Sequence, residues 1–298
     1  MTITTGTLFK KLLRAWSHDR ISTQAAALAY YTVFSLAPIL LICISIAGIV
    51  FGKEAAQGQI LIQVRELIGN DAALQIQELI AGANQPIAAL WARVFSILIL
   101  LFSASGVFSE IQTGLNLIWG VKTNPHTGWC KLIKARFFSF VMVFGVAFVL
   151  LVSLIISAFI ASFSSYLSRF MGSNIIIDLL ISDLVSFFII TLLFALMFKV
   201  LPDVEMKWND VWLGALLTSL LFSLGKMLIG FYLNQVHISS VFGAAGSLII
   251  ILIWAYYSAQ IFFIGAEITK VFSTHKGKKI IPARNAIALH KQEGRIEQ

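Results

Sequence analysis

The stretch AAGSLIIILIWAYYSAQIFFIGA, Ala244 to Ala266, decides which solvent this chain folds in. It runs without a charged residue for more than the roughly 20 residues that cross about 30 Å of hydrocarbon as a helix. Five further runs share its character: Thr32 to Phe51, Val94 to Phe108 continuing toward Trp119, Phe137 to Ala161, Ile175 to Leu201, and Val211 to Leu233. Hydrophobic residues make up 58% of the chain and charged ones only 12%, too few charges to cover a water-soluble globule. The runs are continuously apolar rather than alternating, so helices, and not a membrane barrel, are what satisfies their backbone. The reading is an all-α, polytopic membrane protein.

Basic residues set the expected orientation. Lys10, Lys11, Arg14 and Arg20 precede the first run, Lys122, Lys131, Lys134 and Arg136 follow the second, and Lys199 and Lys207 follow the fourth. Seven more, from Lys270 to Arg295, follow the sixth, whereas the alternate gaps hold only Lys53, Arg65, Arg93 and Arg169. By the positive-inside rule both termini lie in the cytoplasm. The net charge of +8 therefore reflects topology and attraction to anionic headgroups, with no specific nucleic acid as partner. The apolar start lacks a cleavable signal pattern. Cys43 falls in the first span and Cys130 in a cytoplasmic loop, so no disulfide is expected.

The expected organisation is a single transmembrane domain, residues 1–272, followed by a disordered basic tail, 273–298. An interfacial helix over 7–17 sets Leu8, Phe9, Leu12, Leu13 and Trp16 on one face and Lys10, Lys11 and Arg14 on another. Spans are expected near 23–51, 91–119, 137–161, 175–201, 210–233 and 244–268. Pro38 predicts a kink between Phe34 and Pro38, because it removes an intrahelical hydrogen bond. Between the first two spans, Ile60, Leu61, Val64, Leu67 and Ile68, then Leu74, Ile76, Leu79 and Ile80, repeat at helical spacing. These predict outer amphipathic helices over about 54–82, a cap or a lid.

Ionisable residues inside spans cost several kcal/mol without a partner, so each is a candidate functional group. Lys226 and Asp183 read at matching depths, roughly 12 and 13 Å below the outer ends of their helices. They are expected to approach each other, with Asp178 and Arg93 nearer the rim; the bland alternative has Lys226 snorkelling to the outer headgroups. The apolar stretch between Arg93 and Glu110 supplies only about 24 Å, so Glu110 must sit inside the bundle. There it reads at one level with Glu267, at the inner end of the sixth span. Ser103, Ser105, Ser109, Gln112 and Asn116 make the second helix the most polar, lining either an interface or a wet cavity. Gly214 with Thr218, and Ser153, Ser157 and Ala161, are small residues four apart that permit close helix approach. Scattered His18, His126, His237, His275 and His290 form no metal spacing, and no nucleotide-binding or nucleophile motif appears, so neither metal nor cofactor is expected.

Four ordered motifs carry a resemblance: LAYYTVFSLAP (Leu28 to Pro38), GLNLIWGV (Gly114 to Val121), LPDVEMKWNDVWLGA (Leu201 to Ala215) and SVFGAAGSLIIILIWAYYSAQIFFIGAE (Ser240 to Glu267). Over roughly Thr7 to Phe272 the chain resembles the YihY/BrkB family of bacterial inner-membrane proteins. The resemblance implies six helices in the inner (cytoplasmic) membrane, and it maps family positions onto Ala29, Tyr30, Ser35, Pro38, Trp119, Gly120, Pro202, Gly243, Gly246, Trp254, Tyr257, Gly265 and Glu267. Phe242 stands where the family more often has Tyr. The family has been labelled ribonuclease BN and linked to tRNA maturation, to virulence and serum resistance, and to movement of lipids or their precursors. A ribonuclease would need a water-facing acidic site, for which Asp203, Glu205 and Asp210 are the one acidic cluster of the inner loops. A helix cap or loop face accounts for them equally. The expectation is a transporter or flippase-like carrier and not an enzyme, built on Glu110, Asp183, Lys226, Glu267 and Arg93 with a kinked first helix. A ribonuclease or a non-transporting assembly protein is the alternative.

Overall fold

Continuous apolar sequence leaves helix formation as the route to backbone satisfaction, and the computed structural model is helical through its apolar runs. It describes residues 16–68, 70–83, 102, 106–123, 175–235, 245–275, 280–283 and 286–289. In chain order these form α1 (Ile21–Phe51), α2 (Lys53–Ile68), α3 (Asn70–Ala83), α4 (106–118) and β1 (Val121–Thr123). They continue with α5 (Ile175–Val200), α6 (Trp208–Gln235), α7 (Ala245–His275) and β2 (Ala286–Ala288). Among the described residues, Trp208–Ile229 and Leu248–Thr274 are each long and apolar enough to cross a membrane. The pair Ile21–Leu36 and Pro38–Ile49, bent by 49° at the break beside Pro38, makes a third if it is one span. The bend falls where the lost hydrogen bond of Pro38 requires it. Nearly all of the second span's first half, all of the third, and most of the interfacial helix 7–17 lie outside the described residues.

Left-handed glycines end two of these helices. Gly52 (φ 83°) closes α1, its N–H donating to Gly48 O at 3.0 Å, and Gly120 (φ 65°) closes α4, donating to Leu117 O at 3.0 Å. Hydroxyls within the apolar helices satisfy themselves locally: Thr32, Ser45, Thr191 and Ser219 each donate to the carbonyl four residues back. That keeps them paired where no water is available.

Helix α7 is central, packing against α1 on one side and α6 on the other, with α5 beyond α6. Two apolar clusters hold this row together. One joins Ile21, Ala25, Leu115, Phe198, Phe262 and Phe263 toward the end where α7 finishes. The other joins Ile44 and Ala47 of α1 to Ile60 of α2, Ile76 and Ile80 of α3, and Ile250 and Ile251 of α7. The amphipathic pair α2–α3 thus covers the opposite end, its buried isoleucines following the helical spacing seen in the sequence. On α6, Leu213, Leu216, Leu220, Leu224, Met227 and Phe231 recur every three or four residues and are all exposed, a stripe suited to lipid.

The α6–α7 crossing is built by a reciprocal pair of four-residue spacings. Gly214 of α6 faces Thr269 of α7, and Gly265 of α7 faces Thr218 of α6, so that a methyl group on either glycine would overlap the opposing threonine. Each threonine turns its hydroxyl back onto its own helix, Thr218 to Gly214 O at 2.6 Å and Thr269 to Gly265 O at 2.8 Å, leaving its methyl side for the crossing. Sequence reading singled out Gly214 and Thr218; their partner pair completes the contact.

The basic tail corrects an expectation. Residues 273–298 read as disordered, yet α7 continues to His275 and β2 pairs antiparallel with β1, Val121 opposite Ala288 and Thr123 opposite Ala286. Val204 bridges Pro282, and Glu205 N donates to Ile281 O at 2.9 Å. Composition alone missed this because the stabilising partners are backbone groups of β1 and of the α5–α6 loop, distant in sequence.

Two substitutions separate these contacts from general effects. Gly214→Ala should lower thermal stability in detergent by about 2 kcal/mol or more, because it overpacks the crossing. Gly58→Ala, in α2 where an added methyl meets nothing within 4 Å, should raise it by about 0.5–1 kcal/mol. Equal responses would show that the crossing is not tightly fitted.

Candidate functional site

At the end where α7 finishes, a charged cluster links the two flanking helices α1 and α7. Asp19 lies in the turn just before α1, where Arg20 adopts a left-handed conformation (φ 49°, ψ 43°). Glu267 and Lys270 stand one turn apart on α7. Lys270 Nζ is 3.4 Å from Asp19 Oδ2 and 3.4 Å from Glu267 Oε1. The carboxyl groups of Asp19 and Glu267 also hydrogen-bond to each other, which requires one proton between them. His18 Nδ1 lies 2.8 Å from Asp19 Oδ1 on the outer side. Glu267 is 1% exposed and Asp19 8%, whereas His18 reaches water.

The electrostatics of Asp19 follow from these contacts. Burial acts to raise its pKa, but the hydrogen bonds from Glu267 and His18, together with the Lys270 charge, outweigh burial and hold it below 3.8. Asp19 is therefore the carboxylate of the pair, and the shared proton resides on Glu267.

A second polar centre lies on the same end. The Asp203 carboxylate accepts from Gln112 Nε2 at 3.1 Å, Asn116 Nδ2 at 2.9 Å and Thr123 Oγ1 at 3.0 Å. Asp203 N donates to Asn116 Oδ1 at 2.7 Å, and Asp203 O accepts from Ala283 N at 2.9 Å. One side chain thereby joins α4, β1, the α5–α6 loop and the tail. Lys199 Nζ donates to Met206 O within the same loop. The polar face of the second helix is, at Gln112 and Asn116, an interface rather than the lining of a wet cavity.

The remaining candidates are spread out. Glu110 is half-buried on α4. Gly114 packs against Phe263, which puts Glu110 one turn to one side of that contact and Glu267 one turn to the other. The two glutamates are thus offset by about 12 Å along the bundle, not level. Lys226 is exposed among Met227, Leu228 and Leu224 on the lipid-suited stripe of α6. The backbone of Asp178 and Asp183 belongs to α5, but their side chains, and all of Arg93 and Gly243, lie outside the described residues. Ser35 is buried at the α1 bend and Gly246 near the start of α7. Tyr30 is 58% exposed and packs its ring on Phe34 at 4.8 Å. Trp254 meets Phe222 edge-on at 6.4 Å, Pro202 is buried beside Asp203, and Trp119 is buried at the end of α4. Among the described residues no group of three metal-ligating side chains comes together.

Asp19 and Lys270 were not singled out as site residues from the sequence. The available signal was the run His18-Asp19-Arg20 directly before an apolar helix, matched by Lys270 one turn beyond Glu267.

Asp19→Asn should cost about 1–3 kcal/mol at neutral pH, because Lys270 loses its carboxylate. A depressed folded pKa stabilises above the unfolded value of 3.8 and ceases to do so as pH falls through the folded value. The gap in Tm between wild type and Asp19→Asn should therefore close between about pH 5 and pH 3 in detergent-based melts. Asp203→Ala strands three side-chain donors; hydrogen exchange at residues 280–289 should then accelerate by roughly tenfold or more.

Comparison with known proteins places these features in a lineage. The family profile described as Virulence factor BrkB matches residues 12–287. A UPF0761 membrane protein of Vibrio campbellii is 27% identical over 268 residues, covering 88% of this chain and 80% of the relative. Another from Vibrio vulnificus is 27% identical over 265 residues, covering 87% and 80%. One from Vibrio cholerae is 26% identical over 268 residues, covering 88% and 85%. No solved structure matches the chain. With apolar helices fit to cross a bilayer and a match over most of its length, the chain belongs to the BrkB family of membrane proteins.

Proposed function

We propose that the protein is a multi-pass carrier of the bacterial inner membrane, flippase-like, that moves a lipid or lipid precursor rather than catalysing a reaction. The observation that supports this most directly is the proton shared between Asp19 and the fully buried Glu267, bridging α1 and α7. Ionisable groups buried on membrane helices are expensive and mark paths or gates. This one closes the cytoplasmic end between two helices, one of which bends by 49°. Losing the shared proton leaves two facing carboxylates with a single lysine, so the contact between the helix ends weakens and the gate opens. Exposed Tyr30, Tyr31 and Phe34 on α1 give the opening a lipid-accessible aromatic wall.

Hydrolysis is the weaker reading. Of the acidic trio on the α5–α6 loop, Asp203 is occupied by three side-chain donors and so is poorly placed to act as a base or metal ligand.

Purified protein reconstituted into vesicles with a head-labelled fluorescent phospholipid should speed exchange between leaflets, read by quenching of the outer leaflet. Glu267→Gln, which keeps the hydrogen bond but cannot release the proton, should slow that exchange by about tenfold or more with folding intact. Exchange equal to that of empty vesicles, together with no lipid or precursor co-purifying by mass spectrometry, would end the carrier reading.

A further inference from the structure

Beside the Asp203 centre, the α5–α6 loop, the end of α4, the last turns of α7 and the returning tail enclose a cavity of about 240 Å³. Its wall carries Trp119, Glu205, Lys207, Asp210, Ser273 and Ile281. Trp119 is 3% exposed, and its indole Nε1–H, fully shielded, has no hydrogen-bond partner. Buried donors are almost always paired in folded proteins, so a lone indole N–H on a cavity wall points to an acceptor supplied from outside the chain. The charges are mixed: Lys207 on one side, Glu205 and Asp210 on the other, with Glu205 and Lys207 exposed at the rim. A simple anion meets repulsion from two carboxylates and a simple cation leaves the indole unpaired, whereas a zwitterion satisfies both.

Size and position narrow the class. The volume lies below the 300–1,000 Å³ typical of sites for drug-sized ligands, which suits a headgroup-sized molecule. Lys207 is followed by Trp208 and, one turn on, Trp212, 44% and 36% exposed at the start of an apolar helix fit to span the bilayer. Exposed tryptophans beside a lysine at a span's end mark the headgroup level of a membrane.

We propose that this cavity is a binding site for a phosphoethanolamine-type zwitterion, whose phosphate oxygen accepts from Trp119 Nε1–H and pairs with Lys207 while its ammonium group meets Glu205. The site stands apart from the α1–α7 contact and does not depend on the carrier reading. The tail forms part of the wall through Ile281, held by Glu205 N, so occupancy also stabilises the docked tail.

The test uses full-length protein labelled with ¹⁵N-tryptophan in zwitterion-free detergent micelles, the Trp119 indole resonance being assigned from Trp119→Phe. The additions are short-chain phosphatidylethanolamine, short-chain phosphatidylglycerol, free phosphoethanolamine and inorganic phosphate. Saturable movement of the indole resonance with phosphatidylethanolamine, weakened about tenfold by Glu205→Gln or by Lys207→Ala, is the expected result. Both variants lie at the exposed rim, so folding is preserved. A response to the lipid alone identifies a membrane source, a response to free phosphoethanolamine alone a soluble one, and either supports the site. An indole that ignores every addition, showing contact to water only, overturns the proposal. So does one that responds equally to phosphatidylglycerol or to inorganic phosphate.

Discussion

The Asp203 carboxylate is the point on which the cytoplasmic end of the molecule depends. In lipid, packing between apolar helices gains little from the hydrophobic effect, because acyl chains are as apolar as leucine. Polar contacts and close fits therefore decide which helices stay together. Asp203 draws on Gln112, Asn116 and Thr123 through its side chain and on Asn116 and Ala283 through its backbone. Four segments far apart in sequence are thereby fixed to each other where the spans leave the membrane. The segments that carry the basic residues meet at this same end, as a positive-inside arrangement requires.

Two modes of association then divide the bundle. Between α6 and α7 the helices approach through glycine against threonine, a fit that uses shape and no charge. Between α1 and α7 the cytoplasmic contact is ionic and carries a mobile proton. The first is insensitive to pH and salt, whereas the second responds to both. A molecule with a rigid seam on one side of its central helix and a titratable one on the other has a built-in direction of motion. Movement of α1 against an α5–α6–α7 block is the displacement that breaks the fewest close contacts.

Much of this architecture was legible in residues. Hydropathy found the runs that became α1, α5, α6 and α7; Pro38 located the bend; and the isoleucine spacing of 60–80 anticipated α2 and α3. What hydropathy reads poorly is a polar residue at the edge of an apolar run, since nothing about its position is anomalous. Asp19 and Lys270 fall there, as does Asp203, which looked like a member of an acidic loop. Their roles come from partners 251, 3 and 87 positions away in the chain, and no local pattern encodes such a separation. Glu110 and Glu267 were misjudged for a related reason: counting residues along separate helices gives depth only if the helices are in register. The packing of Gly114 on Phe263 sets a different one.

The placement of Glu267 bears on mechanism more than its burial does. A neutral glutamine would hydrogen-bond to Asp19 nearly as well, and an apolar residue would pack at lower desolvation cost, so structure alone gives no reason for an acid at this position. An acid offers what neither replacement has: its proton can leave. His18, exposed and 2.8 Å from Asp19, sits where such a proton would pass between the pair and cytoplasmic water, and its unperturbed range suits transfer near neutrality. The chain therefore places a buried proton holder, a carboxylate and a solvent-facing imidazole in sequence at a helix junction, an order that stability does not require and that proton-linked opening does.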